Sequence, residues 1–258
     1  MARSPRTVAA GDVPAQSGTT GNDRIENRNG ALITGNIRLG SGNNSLLNDT
    51  GSTYISGTTI DLGGGTFTYN AFFSPGGVSN IMSASNANGT PSINGNYVQG
   101  ASGQYVVNIG FQTGADAADF TDFVSVSGTA VLNGLVTLEP TVGAGKFGNF
   151  HIPILSAAGG ITNTGIAINP LFESGTPSTT AVFSASLEVS GDTLFVNYAI
   201  DYSPPGLTPN ASNYGNAVNN IQAAGVPTYQ IIANHMLRKP TLAEMQRAND
   251  SLPGERNA

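Results

Sequence analysis

The sequence predicts an all-β fold: a right-handed parallel β-helix that is capped by a β-hairpin and followed by a short α-helical tail. Three observations lead to this prediction. Gly is abundant, at 34 of 258 residues, and charged residues make up only 10% of the chain, against roughly 25% in an ordinary globular domain. Short runs alternate between apolar and polar residues, as half-buried strands do. One segment is repeated at a fixed offset, as in solenoids.

The repeated segment carries two apolar residues that run into a glycine cluster. Asn36-Ile-Arg-Leu-Gly-Ser-Gly-Asn43 returns as Thr59-Ile-Asp-Leu-Gly-Gly-Gly-Thr66, at an offset of 23 residues. A repeat of roughly 20–25 residues suits one coil of a β-solenoid. Because one coil cannot bury its own inner face, coils of this kind must stack.

The clearest alternation runs from Asp119 to Pro140. One parity carries the apolar residues Val124, Val126, Ala130, Leu132, Val136 and Leu138. The other parity carries Ser125, Ser127, Thr129, Asn133, Thr137 and Glu139. Phe123, Val131 and Leu135 break the pattern and are expected at corners between coils. The alternation predicts three short strands with one face buried and the other in solvent.

Further strands are predicted at Tyr97–Gln99, at Gln104–Ile109 and at 150–155, where Pro153 indicates an edge or a bulge. Two alternating runs then flank Gly191-Asp192, a pair that suits the type II′ turn of a hairpin. We expect this hairpin to cover the last coil, because an open coil end is an exposed sheet edge.

After Pro204-Pro205 the apolar spacing becomes helical. Tyr214, Val218 and Ile221 form a stripe, and a second helix is predicted at about Tyr229–Leu237. A third helix begins at a capping box of Thr241 and Glu244. These helices are only moderately amphipathic, so we expect them to be mobile. The chain therefore divides into a disordered or frayed segment 1–30, a β-helix with its hairpin at 31–203 and a helical linker tail at 204–258.

An ordered set of motifs resembles the end of an autotransporter passenger, the secreted part of a type V secretion protein. The motifs include Gly35-Asn-Ile-Arg-Leu-Gly-Ser-Gly-Asn-Asn-Ser45, Ile60-Asp-Leu-Gly-Gly-Gly65, Phe73-Ser-Pro-Gly-Gly77, Val124-Ser-Val-Ser-Gly-Thr-Ala130, Ile154-Leu-Ser-Ala-Ala-Gly-Gly160 and Tyr202-Ser-Pro-Pro-Gly-Leu-Thr-Pro-Asn210. Residues 216–255 resemble the linker that precedes the outer-membrane β-barrel of that family. The resemblance covers roughly residues 31–255.

The resemblance implies a structural role as the autochaperone that folds first at the surface of a Gram-negative bacterium, with a contribution to adhesion and virulence. It implies an outer-membrane β-barrel translocator as partner, normally in the same chain. Neither that barrel nor a signal peptide is recognisable in this sequence. We expect a monomer, a fragment or a truncated gene product, that by itself carries no export address.

Composition argues against several other classes of protein. The net charge of -6 opposes binding to nucleic acid, which requires a basic surface. With no Cys, the chain has neither disulfides nor thiolate metal sites. No apolar run approaches the roughly 20 residues of a transmembrane helix.

No catalytic, cofactor or metal site is predicted, and we expect no enzymatic activity. A Ser–His–Asp triad of His151, Asp201 and one of the many Ser can be drawn only on paper, because no Gly-x-Ser-x-Gly motif marks a nucleophile. His151 and His235 lie far apart in the sequence and lack a third ligand, so no zinc site is predicted. Asp116, Asp119 and Asp122 are expected to form an acidic turn; the alternatives are a Ca²⁺ site or the carboxylate pair of a glycosidase.

Two other groups of residues also have simple structural interpretations. Gly63-Gly-Gly65 is expected to be a turn between coils, not a phosphate loop. Gly21-Asn-Asp23 and Gly42-Asn-Asn44 only weakly resemble the Ca²⁺-binding nonapeptide. An internal stack is predicted for the aromatic residues Phe67, Tyr69, Phe72 and Phe73.

The alternative functions are a module that binds host or biofilm surface glycans and, less favoured, a β-helix enzyme that degrades polysaccharides. The first would use the Asn/Thr-rich outer face. The second would need carboxylates such as those between Asp116 and Asp122.

Overall fold

The computed structural model describes residues 16–18, 20–74, 90–109, 121–140, 146–169, 179–224, 226 and 229–251. Strands make up 49% and helices 17% of the structure, so the molecule is mainly β, with a large and nearly closed sheet and three short helices. The sequence also predicts a break at Ser74-Pro-Gly-Gly77 and a loop at 78–92; both lie mostly outside the described residues.

The described residues form sixteen strands. They are β1 (Gln16–Ser17), β2 (Arg24–Asn27), β3 (Leu32–Arg38), β4 (Ser45–Asn48), β5 (Thr53–Tyr69), β6 (Phe72–Ser74), β7 (Ser92–Gln99), β8 (Gln104–Ile109), β9 (Val124–Val126), β10 (Ala130–Leu132), β11 (Leu135–Pro140), β12 (Gly148–Ala157), β13 (Ile161–Asn163), β14 (Ala167–Ile168), β15 (Phe183–Ser190) and β16 (Thr193–Ile200).

The strand pairings sort into three stacks. The first stack contains parts of β3 and β5, followed by β6, β8, β11 and β14. The second contains β1, other parts of β3, β5 and β7, and then β9, β12, β16 and β15. The third contains β2, β4, further parts of β5 and β7, β10 and β13. Among the described strands, only the pairings of β16 with β12 and β15 are antiparallel.

The register of the parallel pairs confirms the predicted offset. Ile37 pairs with Ile60, and the amide oxygen of Asn36 accepts from the backbone N–H of Thr59, 23 residues away. The spacing is 21 residues between Asn27 and Asn48, but 33 between Asp61 and Asn94. The repeat is therefore short near the N-terminus and longer beyond β5, which the sequence repeat did not reveal.

The alternation between Val124 and Leu138 places its apolar parity inside, as predicted: all six apolar residues of that parity are buried. One assignment to the outer face is wrong, because Thr137 is also buried. Its hydroxyl oxygen accepts hydrogen bonds from the side-chain amides of Gln104 (2.6 Å) and Asn169 (2.8 Å), so its burial is compatible with its polarity.

The predicted hairpin is present. β15 and β16 pair antiparallel from Phe183–Ile200 to Ser190–Thr193. Gly191 has φ +61, whereas Asp192 does not have a positive φ, which is the pattern of a type II′ turn. β12 pairs with the edge of β16 that faces away from β15. The register of this pair shifts between Pro153 and Leu155, which confirms the predicted bulge.

Strand structure begins before residue 31, where the β-helix was expected to start. β2 lies within the segment expected to be frayed, and all four of its residues pair with β4, from Arg24–Ser45 to Asn27–Asn48. Asn27 is buried there. Residues 1–15 of that segment lie outside the described part of the chain.

The three predicted helices are present as α1 (Pro209–Ala223), α2 (Gln230–Leu237) and α3 (Leu242–Ser251). They pack on the strands, because Val218, Ala233, Met236 and Met245 are fully buried in the same cluster as the strand interior. Their mobility stays a prediction. The buried face of α1 differs from the predicted stripe of Tyr214, Val218 and Ile221. Its buried residues are Ala211, Gly215, Val218, Asn219 and Gln222.

Thr241 begins α3 as the capping box predicted, since the N–H of Glu244 donates to its hydroxyl (3.3 Å). Among the described residues, no helix combines the length and the hydropathy needed to cross a membrane.

Candidate functional site

The Ser–His–Asp arrangement that the sequence allows on paper is not assembled among the described residues. His151 is exposed on β12 and His235 is exposed on α2. The Asp201 carboxylate instead accepts hydrogen bonds from the Ser203 N–H and the Asn219 side chain, both 2.8 Å. Asp201 therefore helps to hold the tail against the strands.

The acidic segment contributes one buried carboxylate to the described structure. Asp122 accepts from the backbone N–H (2.9 Å) and the side-chain amide (2.8 Å) of Asn108. Asp116 and Asp119 lie outside the described residues. No group of three or more His, Asp or Glu side chains that could hold a metal ion occurs among the residues described.

Gly63-Gly-Gly65 lies within β5, between the parts of this strand that belong to the second and third stacks, and not in a separate turn between strands. A Cβ on Gly63 would lie 2.1 Å from the Gly40 carbonyl oxygen, and one on Gly65 would lie 1.9 Å from that of Asn44, so the glycines allow close packing on the preceding segment. The weak Ca²⁺-like motifs lie in bends between strands. The Asn22 side chain accepts from the Asn43 N–H, and the Asn44 side chain accepts from the Asp23 N–H.

The aromatic side chains form an internal stack, as predicted. The Phe67 ring centroid lies 5.7 Å from that of Tyr54 and 5.3 Å from that of Tyr69. Phe73 continues the stack to Tyr105 at 6.0 Å. The prediction is wrong for Phe72, which is only half-buried and lines a groove on the surface. Phe72 directly precedes Phe73 in β6, so the two side chains point to opposite faces.

Four buried tyrosines contribute hydroxyl groups to this interior. Burial raises the pKa of Tyr54, Tyr69, Tyr97 and Tyr105. The hydroxyls of Tyr69 and Tyr97 lie 2.5 Å apart, and the Tyr105 hydroxyl donates to the Ile154 carbonyl at 2.7 Å. The tyrosines are therefore neutral members of the core, with partners for their polar ends.

A row of inward amides was not predicted. Asn27 donates to the Asn48 side chain (2.7 Å) and to the Thr53 carbonyl (2.8 Å), and Asn48 donates to the Phe72 carbonyl (2.9 Å). Gln99 lies at the same register position two strands further on and donates to the Leu135 carbonyl (2.9 Å). The signal available in the sequence was the 21-residue separation of Asn27 and Asn48, each at the end of an alternating run.

The helical tail is fixed at the strand end by polar groups and close packing. Asn219 on α1 accepts from the Tyr202 N–H at 2.8 Å. A Cβ on Gly215 would lie 2.1 Å from the Tyr202 carbonyl oxygen, so only glycine allows this approach. Gln222 is fully buried beside them, and neither atom of its amide has a hydrogen-bond partner in the described structure.

A groove of about 440 Å³ lies on the three antiparallel strands β12, β16 and β15. It is lined by Asn149, Phe150, His151, Ser184, Ala185, Ser186, Asn197, Tyr198 and Ala199. We call it the hairpin groove. His151 stacks on Phe195 with ring centroids 4.0 Å apart, and its Nδ1 lies 2.5 Å from Asn197 Oδ1.

No protein-family model matches the chain, and no curated protein matches it.

Proposed function

We propose that the three stacks are the faces of a right-handed parallel β-helix, and that this chain is a structural module with an autochaperone role. The main support is the order in which the chain contributes strands to the three stacks. The single strand β5 contributes one part to each stack in turn: Thr53–Ile55 to the first, Thr59–Asp61 to the second and Thr66–Tyr69 to the third. Each part pairs in parallel with one segment earlier in the chain and one segment later in the chain. The right hand is the one that parallel crossover connections adopt.

The interior supports a role based on stacking. Aliphatic and aromatic residues of successive segments meet in register, as in Leu46–Phe67–Tyr97–Ala130. Burial of apolar surface stabilises such a core by about 25 cal/mol per Å². Because each segment is covered only by its neighbours, its stability depends on the segments already folded.

The C-terminal end differs from the rest because it has local pairing. β15 and β16 are joined by a two-residue turn, whereas the parallel partners elsewhere in the described strands lie 19 to 33 residues apart. Closing a short loop costs less entropy than closing a long one, and local contacts form faster. The β15–β16 hairpin with the helices is therefore the expected folding nucleus. β12 pairs with it across 37 to 52 residues, so β12 is expected to add next, and the coils to grow from there towards the N-terminus.

This folding order, together with the resemblance to autotransporter passengers, supports a function at the surface of a Gram-negative cell. On this proposal the chain emerges unfolded, folds first at its C-terminal end and templates any coils upstream. Its partner is an outer-membrane β-barrel translocator, and the chain performs no catalysis.

Pulsed hydrogen exchange during refolding of the whole chain tests the order directly. Backbone amides of β15 and β16 are expected to gain protection before those of β2, β3 and β4. Protection that begins at β2–β4, or equally in all strands, would contradict the proposal.

Two glycine substitutions form a matched pair for the same test. Gly191 (φ +61) and Gly64 (φ +91) both have open space where a Cβ would lie, so alanine meets no clash at either but adds backbone strain of about 1–3 kcal/mol. Gly191→Ala is expected to slow refolding, because the hairpin belongs to the nucleus. Gly64→Ala is expected to speed unfolding instead. Stopped-flow kinetics separates the two, and equal effects on refolding would refute a C-terminal nucleus.

A further inference from the structure

We propose that the hairpin groove binds a neutral saccharide. The floor of the groove is formed by a small residue, Ala199, which has polar residues around it. His151, Asn197 and Ser186 are register partners across the three strands, and Asn149, Ala199 and Ser184 form the next row on the same face. The two rows are roughly 6.6 Å apart along the strands. Ala199 therefore leaves a depression with polar side chains on both sides, and its volume of about 440 Å³ lies in the range of small-molecule sites.

One wall of the groove is held in a fixed arrangement. The side-chain nitrogen of Asn197 donates to Glu188 at 2.8 Å, which turns Asn197 Oδ1 towards His151. His151 Nδ1 must then be the donor to this oxygen, so in the neutral ring Nε2 is an acceptor. The stacking on Phe195 fixes the plane of the imidazole. A ligand that binds here meets a wall that is already ordered, which reduces the entropy lost on binding.

The other polar residues of the groove offer side chains without protein partners. Among the described residues, the side chains of Asn149, Ser184 and Ser186 form no hydrogen bond with other protein groups. An amide and two hydroxyls can each donate and accept. Together with His151 Nε2 they match a ligand that carries several neighbouring hydroxyl groups.

The charge around the groove favours an uncharged ligand. Glu188 contacts Asn197 at its edge, and no Lys or Arg lines it. An anionic ligand would therefore meet a carboxylate without a compensating cation. An extended peptide is a poorer match, because strand addition uses a sheet edge and this groove lies on a sheet face. A neutral saccharide fits both the hydroxyl-matching groups and the charge.

Saturation-transfer NMR on the whole chain provides the test, with cellotriose, maltotriose and N,N′,N″-triacetylchitotriose as neutral probes and trigalacturonic acid as the anionic probe. At least one neutral trisaccharide is expected to bind with a Kd of about 1 mM, roughly −4 kcal/mol. Ala199→Gln fills the floor and is expected to weaken binding at least about 10-fold, and Asn149→Ala about 3–10-fold, the equivalent of one hydrogen bond.

Ser190→Ala is the matched control, because Ser190 lies on the same face of β15 as Ser184 and Ser186 but does not line the groove. Its affinity is expected to stay unchanged. Asn149→Ala keeps the test decisive if Ala199→Gln unfolds. The proposal is overturned if no neutral probe binds, if only trigalacturonic acid binds, or if binding survives in the folded groove variants. These outcomes are independent of the folding order, so either proposal can fail without the other.

Discussion

At the scale of single residues, buried amides act in two opposite ways. Asn27, Asn48 and Asn219 are buried with partners, whereas the Gln222 amide is buried without any in the described structure. A hydrogen-bonded buried amide adds little net stability, but a buried group without a partner costs about 1–3 kcal/mol. Replacing a buried amide by an apolar side chain is therefore expected to lower stability where the amide has partners and to raise it where the amide has none.

Asn48→Leu is expected to lower the free energy of unfolding by about 1–3 kcal/mol. The change removes the acceptor for Asn27 and the donor to the Phe72 carbonyl, both in the interior. Urea denaturation measures the difference, with Asn43→Leu at an exposed turn as the control. An Asn48 variant as stable as wild type would show that the amide row is dispensable.

Gln222→Leu is expected to raise the free energy of unfolding by about 1–3 kcal/mol, because it removes two polar groups that lack partners. Asn219→Leu, on the same buried face of α1, is expected to lower it, since Asn219 bonds to Tyr202 and Asp201. Urea titrations of both variants give the comparison. Destabilisation by Gln222→Leu would mean that the amide has a partner, such as an ordered water.

At the scale of elements, hydrophobic period predicted strands and helices well. The hairpin, its turn and the three helices all occur where the spacing placed them. The period did not predict which helix face is buried, since α1 packs with Gly215 and Gln222, whereas Tyr214 and Ile221 are only half-buried. The reason is steric: the Tyr202 backbone lies so close that only glycine fits.

Gly215→Ala tests this packing of α1. The new methyl group would meet the Tyr202 carbonyl oxygen at 2.1 Å, and overpacking of this kind costs about 1–3 kcal/mol. Faster proteolysis within 209–251 and a lower melting temperature are expected. Asn216→Ala, at the exposed neighbouring position, is expected to be neutral or slightly stabilising. Equal melting temperatures for Gly215→Ala and wild type would contradict close docking.

At the scale of the whole molecule, the stacked tyrosines couple folding to alkaline pH. Burial raises the pKa of Tyr54, Tyr69, Tyr97, Tyr105 and Tyr202 above its usual value. Their contribution to stability is full below the unfolded pKa of about 10 and is lost as the pH rises from there towards the folded values. Each tyrosine then lowers stability by about 1.4 kcal/mol per pH unit.

The chain is therefore expected to unfold in one cooperative step above about pH 10, when the unfolded state gains tyrosinate. Far-UV circular dichroism and tyrosinate absorbance should change together. Tyr69→Phe should make the pH dependence less steep. Tyrosinate that forms gradually while the strand signal stays intact would contradict the buried stack.

Much of this architecture follows from local patterns. The 23-residue offset predicted the pairing of Ile37 with Ile60, and the alternation from Val124 to Leu138 predicted which residues are buried. The candidate site was not predictable in the same way. The hairpin groove joins residues from β12, β15 and β16, and nothing in one strand indicates which small residue lies opposite which polar ones.

The sequence by itself determined the β-rich class, the hairpin, the helices and the inward parity, because these depend on spacings of two to four residues and on turn chemistry. Only the tertiary structure decided the longer spacing between paired strands beyond β5, the burial of Thr137, the partial exposure of Phe72, the docking of the tail and the groove around Ala199. Each of these depends on which distant segments come into contact, and that is set by packing between strands rather than by the pattern within one.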